Sequence, residues 1–158
     1  MTAHAASPPS APIVFPTAAP DREHAIEAFT AARRRTAALF DLVVPDAYLA
    51  RPLPLRQPIA FYEGHVAALA VNTLLKKALG RPGIDARFET LFARGIDPAD
   101  ESSAARSAAQ RWPSREEIHG YAERADAALL DVLASIDLEA DDETGARVRQ
   151  ALQTSLEH

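Results

Sequence analysis

The most continuous apolar stretch of the chain is Pro58–Gly80, PIAFYEGHVAALAVNTLLKKALG, which carries no formal charge between Glu63 and Lys76. It predicts one long helix. Pro58 suits its start, having no N–H to lose, and Gly80 suits the left-handed residue that follows a helix. A helix that apolar over about three turns is expected to be buried on most sides. Phe61, His65, Ala68, Asn72, Leu75 and Leu79 are spaced three or four apart and share one face. His65 and Asn72 therefore project toward the core, roughly 10 Å apart along the axis at about 1.5 Å per residue.

Three further helices follow from the same periodicity. The first runs from about Asp21 to Val43, with Ile26, Phe29, Arg33, Thr36, Phe40 and Val43 on its main face and Leu39 widening it. Arg33, Arg34 and Arg35 read as a solvated run, although Arg33 and Thr36 interrupt the apolar stripe. Pro45 is expected to end this helix. Residues 45–57 hold three prolines, and Leu53 and Leu55 are expected to pack across helix ends. Ala86–Ala93 forms a short amphipathic piece with Phe88, Leu91 and Phe92, capped by Gly95. Residues 99–111 are polar and alanine-rich, and read as a surface loop. Trp112-Pro113 anchors the next long helix, where Ser114 and Glu117 make a capping-box pattern. Its core face holds Ile118, Tyr121, Ala122, Ala125, Leu129, Val132, Leu133 and Ile136. The last helix begins near Asp142, with Val148, Ala151, Leu152 and Ser155 inward.

Four long helices joined by short to moderate connections predict an all-α, up-and-down four-helix bundle over residues 21–158. Residues 1–20 hold five of the 12 prolines and are expected to be a disordered arm. The chain has 158 residues, enough for one domain with a real core. Its 47% hydrophobic content is largely alanine, which favours helix over sheet. A net charge of −5 gives no reason to expect a nucleic-acid partner. With no cysteine, disulfides, thiolate ligands and a cysteine nucleophile are excluded. No apolar run reaches membrane-spanning length and no signal-peptide core follows the start, so the expected compartment is the cytoplasm. Dinucleotide, P-loop, zinc-protease and serine-hydrolase motifs are absent.

Candidate chemistry therefore rests on histidines. A buried imidazole needs partners for its ring nitrogens. His65 is either a satisfied core residue or a metal ligand inside a bundle, where such sites are built from inward side chains on facing helices. His158 lies seven residues after Ala151 and shares its inward side. The competing reading is that Leu156-Glu157-His158 is a cloning-tag remnant. His4 lies in the arm, His24 off the apolar stripe and His119 one residue off its core face. Glu63 and Glu157 point away from the ligand face. Imidazoles of His65 and His158 within roughly 3–5 Å of each other would favour a shared metal, and a gap above about 10 Å would exclude one.

Arg35-Thr36 followed by Leu39, a proline-bearing loop, and Pro58-Ile59-Ala60-Phe61-Tyr62-Glu63-Gly64-His65 resembles the amino-terminal half of ergothioneine-type sulfoxide synthases. The nearest branch is the selenoneine synthases, through Phe61-Tyr62, Gly64-His65, Asn72, Phe88-Glu89-Thr90-Leu91-Phe92, Gly95-Ile96-Asp97-Pro98 and Trp112-Pro113. The resemblance spans about residues 26–158. It implies a DinB-like four-helix bundle followed by a formylglycine-generating-enzyme-like domain, which is missing here. It also implies Fe(II) held by three neutral histidines. The first matches His65; the second matches His158, the first member of an H-x-x-x-H pair whose other member would fall past residue 158. The implied small-molecule partners are a thiol or selenol donor and a histidine betaine. A tryptophan is common shortly before the first ligand in the ergothioneine enzymes, whereas this chain has Phe61-Tyr62. The resemblance thus implies an incomplete, inactive first half of a synthase. A stand-alone DinB-like thiol transferase and a non-catalytic bundle are the alternatives.

Overall fold

The structure, a computed structural model, describes residues 21–51, 53, 56–93, 102, 105–106 and 109–158; the expected arm and the Gly95–Pro98 turn lie outside them. The described residues are all-helical, with no strand. Helix α1 spans Arg22–Phe40, a short 3-10 turn spans Pro45–Ala47, and α2 spans Ile59–Ala70 and runs on as a π-helix over Val71–Ala78. Helix α3 spans Ala86–Leu91, α4 Arg115–Ser135 and α5 Glu143–Glu157. No described helix is long and apolar enough to cross a membrane.

Local chemistry sets the helix ends. Asp21, Asp85, Ser114 and Asp142 each accept a backbone N–H from the first turn that follows, meeting donors a helix start leaves unpaired. Ser114 and Glu117 complete the reciprocal box expected from the sequence. Gly80 adopts φ 63°, the left-handed value that ends the α2 extension without a Cβ penalty.

The packing follows the apolar faces. Helix α2 lies against α4 and α5, its π extension against α5, and α1 leans on α4 and α5. Phe61, Ala68, Val71, Leu74, Ile118, Tyr121, Leu129, Leu133, Val148 and Leu152 form the centre. The interior is fully enclosed at Phe61, Phe92, Ile118 and Tyr121, each 0% exposed.

Several expectations are corrected. The chain leaves α1 at Phe40 rather than Val43, and Leu39 faces solvent at 66% exposure instead of widening the core face. Arg33 is not solvated: its side chain is 14% exposed and its Nε lies 2.8 Å from Asp126 Oδ1. Leu53 is exposed, and the link before α2 is anchored instead by buried Tyr48, whose carbonyl accepts the Ala60 N–H; Leu55 lies outside the described residues. Ser102, Ala105, Arg106 and Ala109 are exposed but helical, where a loop was expected.

The π segment also departs from the single α-helix expected through Gly80. A 3.6-residue pattern carries no mark of an i→i+5 turn. Here the wider turns bury Val71, Leu74, Leu75 and Ala78 while directing both Asn72 and Lys76 onto Glu89 of α3.

Candidate metal centre

His65 lies mid-way along α2, and its ring stacks on Phe61 one turn earlier, with centroids 5.2 Å apart. The residue is buried. Its Nδ1 lies 2.7 Å from the carbonyl oxygen of Phe92. A carbonyl only accepts, so Nδ1 carries the proton and Nε2 the lone pair. Phe92 follows the last residue of α3, where helix carbonyls have no partner further along the helix. The orphan acceptor of one short helix thus sets the tautomer of a histidine on another.

That carbonyl is itself held in place. Asn72 Nδ2 donates to the Glu89 carbonyl at 3.1 Å. The Glu89 carboxylate accepts from Ile84 N at 2.5 Å, Asp85 N at 2.9 Å and Lys76 Nζ at 3.0 Å. Burial pushes this carboxyl up, but the hydrogen bonds from Asp85, Lys76 and Ile84 outweigh it and hold Glu89 below the ordinary carboxylate value. These contacts fasten α3 to the π segment, so Phe92 presents its carbonyl from a fixed position. The Phe92 ring packs on Phe61 and Trp112, with centroids 6.2 and 6.3 Å apart, walling off one flank of His65.

His158 follows α5 and repeats the pattern. Its Nδ1 lies 2.9 Å from the Thr154 carbonyl, one of the last unpaired acceptors of that helix. It too therefore carries its lone pair on Nε2. The His65 and His158 rings stand 6.2 Å apart between centroids, with planes at 52°. One ion at about 2 Å from each Nε2 would hold the centroids roughly 4.5–5.2 Å apart at octahedral or tetrahedral angles, and roughly 6.3 Å apart only with the two nitrogens collinear through it. The observed separation exceeds the octahedral and tetrahedral values by about 1 Å or more and is wider than the expected spacing of roughly 3–5 Å, so the two rings would have to draw together to share one ion. Each imidazole is held by a backbone acceptor through Nδ1, which leaves Nε2 as the atom to offer a divalent transition ion.

The other sequence candidates lie elsewhere. His24 is exposed at the start of α1. Asn72 is structural, as its bond to α3 shows. Glu63 faces away from His65, as expected, but is not idle. Its Oε1 lies 2.6 Å from His119 Nε2, and its Oε2 lies 3.6 Å from Arg115 Nε. Among the described residues no group of three or more His, Asp or Glu is arranged to hold a metal. His65 and His158 thus offer two donors.

The sequence reading missed Glu89 and the Phe92 carbonyl. Glu89 has one legible signal, an acid inside an otherwise amphipathic hexamer between two buried aromatics. A main-chain oxygen has none.

Residues 28–158 match the model of the DinB superfamily, and the chain belongs to that superfamily. A comparison with curated proteins finds no match.

Proposed function

We propose that this DinB superfamily chain is a metal-binding domain in which His65 and His158 are ligands, and that it serves as the amino-terminal part of an oxygen-dependent non-haem iron synthase. The reaction would form a carbon–sulfur or carbon–selenium bond on the imidazole of a trimethylated histidine, from a thiol or selenol donor. One observation carries the metal reading: two histidines from different helices meet with both Nδ1 atoms bound to main-chain carbonyls and both Nε2 lone pairs unbonded.

The step from metal domain to synthase rests on the resemblance of Phe61-Tyr62, Gly64-His65, Phe88–Phe92 and Trp112-Pro113 to that family. Fe(II) there would supply open coordination positions for the chalcogen donor and dioxygen. This chain's own residues orient and shield. The Phe92 and Thr154 carbonyls fix the imidazole tautomers, and Phe61, Phe92 and Trp112 exclude water from one flank of His65. No residue here is assigned as general acid or base, because in the family a second domain completes the substrate pocket.

The superfamily match is equally compatible with a second reading, a stand-alone DinB-like metal-dependent thiol transferase. Iron content and Fe(II) affinity decide between them, measured on this chain, on His65→Ala, and on a version carrying the second domain. Stoichiometric iron in the longer protein, abolished by His65→Ala, with weak binding by the short chain, supports the synthase. Stoichiometric metal in the short chain alone supports the transferase. No metal in either refutes both.

A further inference from the structure

Away from the two histidines, α1, α2 and α4 line a half-open cavity of about 210 Å³. It opens because α1 leans on α4 and α5, leaving a gap beside α2. Its floor is apolar, with Phe40 from α1, Val66 from α2 and Ala122 from α4. Its polar lining is Arg33, Glu63, His119, Glu123 and Asp126.

The charges of this lining do not balance. Arg33 Nε is committed to Asp126 at 2.8 Å, and His119 Nε2 to Glu63 at 2.6 Å. The Glu63 side chain is only 9% exposed, and its Oε2 makes an ion pair with Arg115 Nε at 3.6 Å. Glu123, an exposed residue of the lining, has no ion pair among the described residues. Glu63 is met by His119 and Arg115, which leaves Glu123 and Asp126 with the single guanidinium of Arg33 on the cavity wall. Burial pushes the Asp126 carboxyl up in spite of Arg33, so the pair leaves negative charge under-solvated. An anion would be repelled here.

We propose that this cavity is a second small-molecule site, which takes a small organic cation: an alkylammonium whose head faces Glu123 and Asp126 and whose chain lies on Phe40, Val66 and Ala122. The cavity is smaller than drug-sized pockets of about 300 Å³ and above, which limits the ligand to about four to six carbons. The site is independent of the metal reading, because neither His65 nor His158 lines it.

The test is an NMR titration of the metal-free 158-residue chain with n-butylammonium chloride, with butyrate and 1-butanol in parallel. Saturable shifts at Ala37, Ala67, His119 and Ala122 are expected with butylammonium. Butyrate should give none, and butanol should bind about ten-fold more weakly, the attraction between ammonium and partly buried carboxylates being lost. Ala122→Leu, which fills the cavity, should abolish the shifts. Glu123→Gln, at an exposed position that folding tolerates, should weaken binding about three-fold. Absence of saturable shifts, equal binding of butanol and butylammonium, or unchanged binding by Glu123→Gln overturns the proposal.

Discussion

Gly64 is the position where one added methyl group reads out the architecture of the candidate metal centre. It precedes His65 on α2, and a Cβ there would stand 2.6 Å from Phe92 Cε1, and closer still to Cζ and Cε2. The Phe92 ring is 0% exposed and packs between Phe88 and Trp112, so it has little room to yield. Overpacking of this kind costs about 1–3 kcal/mol. Alanine also gains about 1 kcal/mol of helix propensity over glycine. Gly120→Ala on α4 isolates the two terms, because a Cβ there meets only Arg124 Nη1 at 3.6 Å. That control should gain about 0.5–1 kcal/mol. The difference between the variants is then the packing cost, about 1–3 kcal/mol, or a Tm lower by about 2–10 °C for Gly64→Ala. Thermal and urea unfolding followed by circular dichroism measure it. Moving Phe92 also moves the carbonyl that holds His65, so metal affinity should fall about 10-fold or more in Gly64→Ala and not in Gly120→Ala. Equal stability and equal metal affinity of the two variants would refute the reasoning.

Other outcomes follow from the same contacts. Glu89→Gln, which sets an amide against Lys76 and removes the charge, should cost about 2 kcal/mol in urea unfolding and weaken the metal site through Phe92. Because the folded carboxyl of Glu89 titrates below its unfolded value of about 4.3, its contribution is in place above that pH and is lost as pH falls through the lower folded value. Unfolding measured from pH 6 down to pH 3 should therefore show a loss of stability that Glu89→Gln lacks. Asp126→Ala should cost about 3 kcal/mol by stranding the Arg33 guanidinium, whereas Arg33→Met with Asp126→Leu should recover most of that stability. Ser114→Ala should lower stability by about 1 kcal/mol through loss of the α4 cap.

Much of the helical frame is legible in the chain itself. The apolar spacing of Ile118, Tyr121, Ala125, Leu129 and Leu133 marks the buried face of α4, and Ser114, Asp142 and Gly80 mark helix ends, because caps and periodicity are local effects. His65 stands out for the same reason, as a polar residue in an uncharged buried stripe. Residues that pair across helices are less legible. Arg33 looked like one member of a basic run, and only the approach of α4 brings Asp126 to it. His119, one position off its core face, is exposed, and only the approach of α2 brings Glu63 to it.

Local sequence thus accounts for which segments are helical, where most of them stop and which faces turn inward, since those depend on interactions within a few residues. Tertiary packing decides the rest. It brings His158 within 6.2 Å of His65, lays the end of α3 against α2 so that a main-chain oxygen sets the imidazole tautomer, and leaves the gap beside α1. Those outcomes turn on how helices distant in the chain approach one another. A carbonyl is the same atom in every residue, so no sequence pattern could single out the one at Phe92.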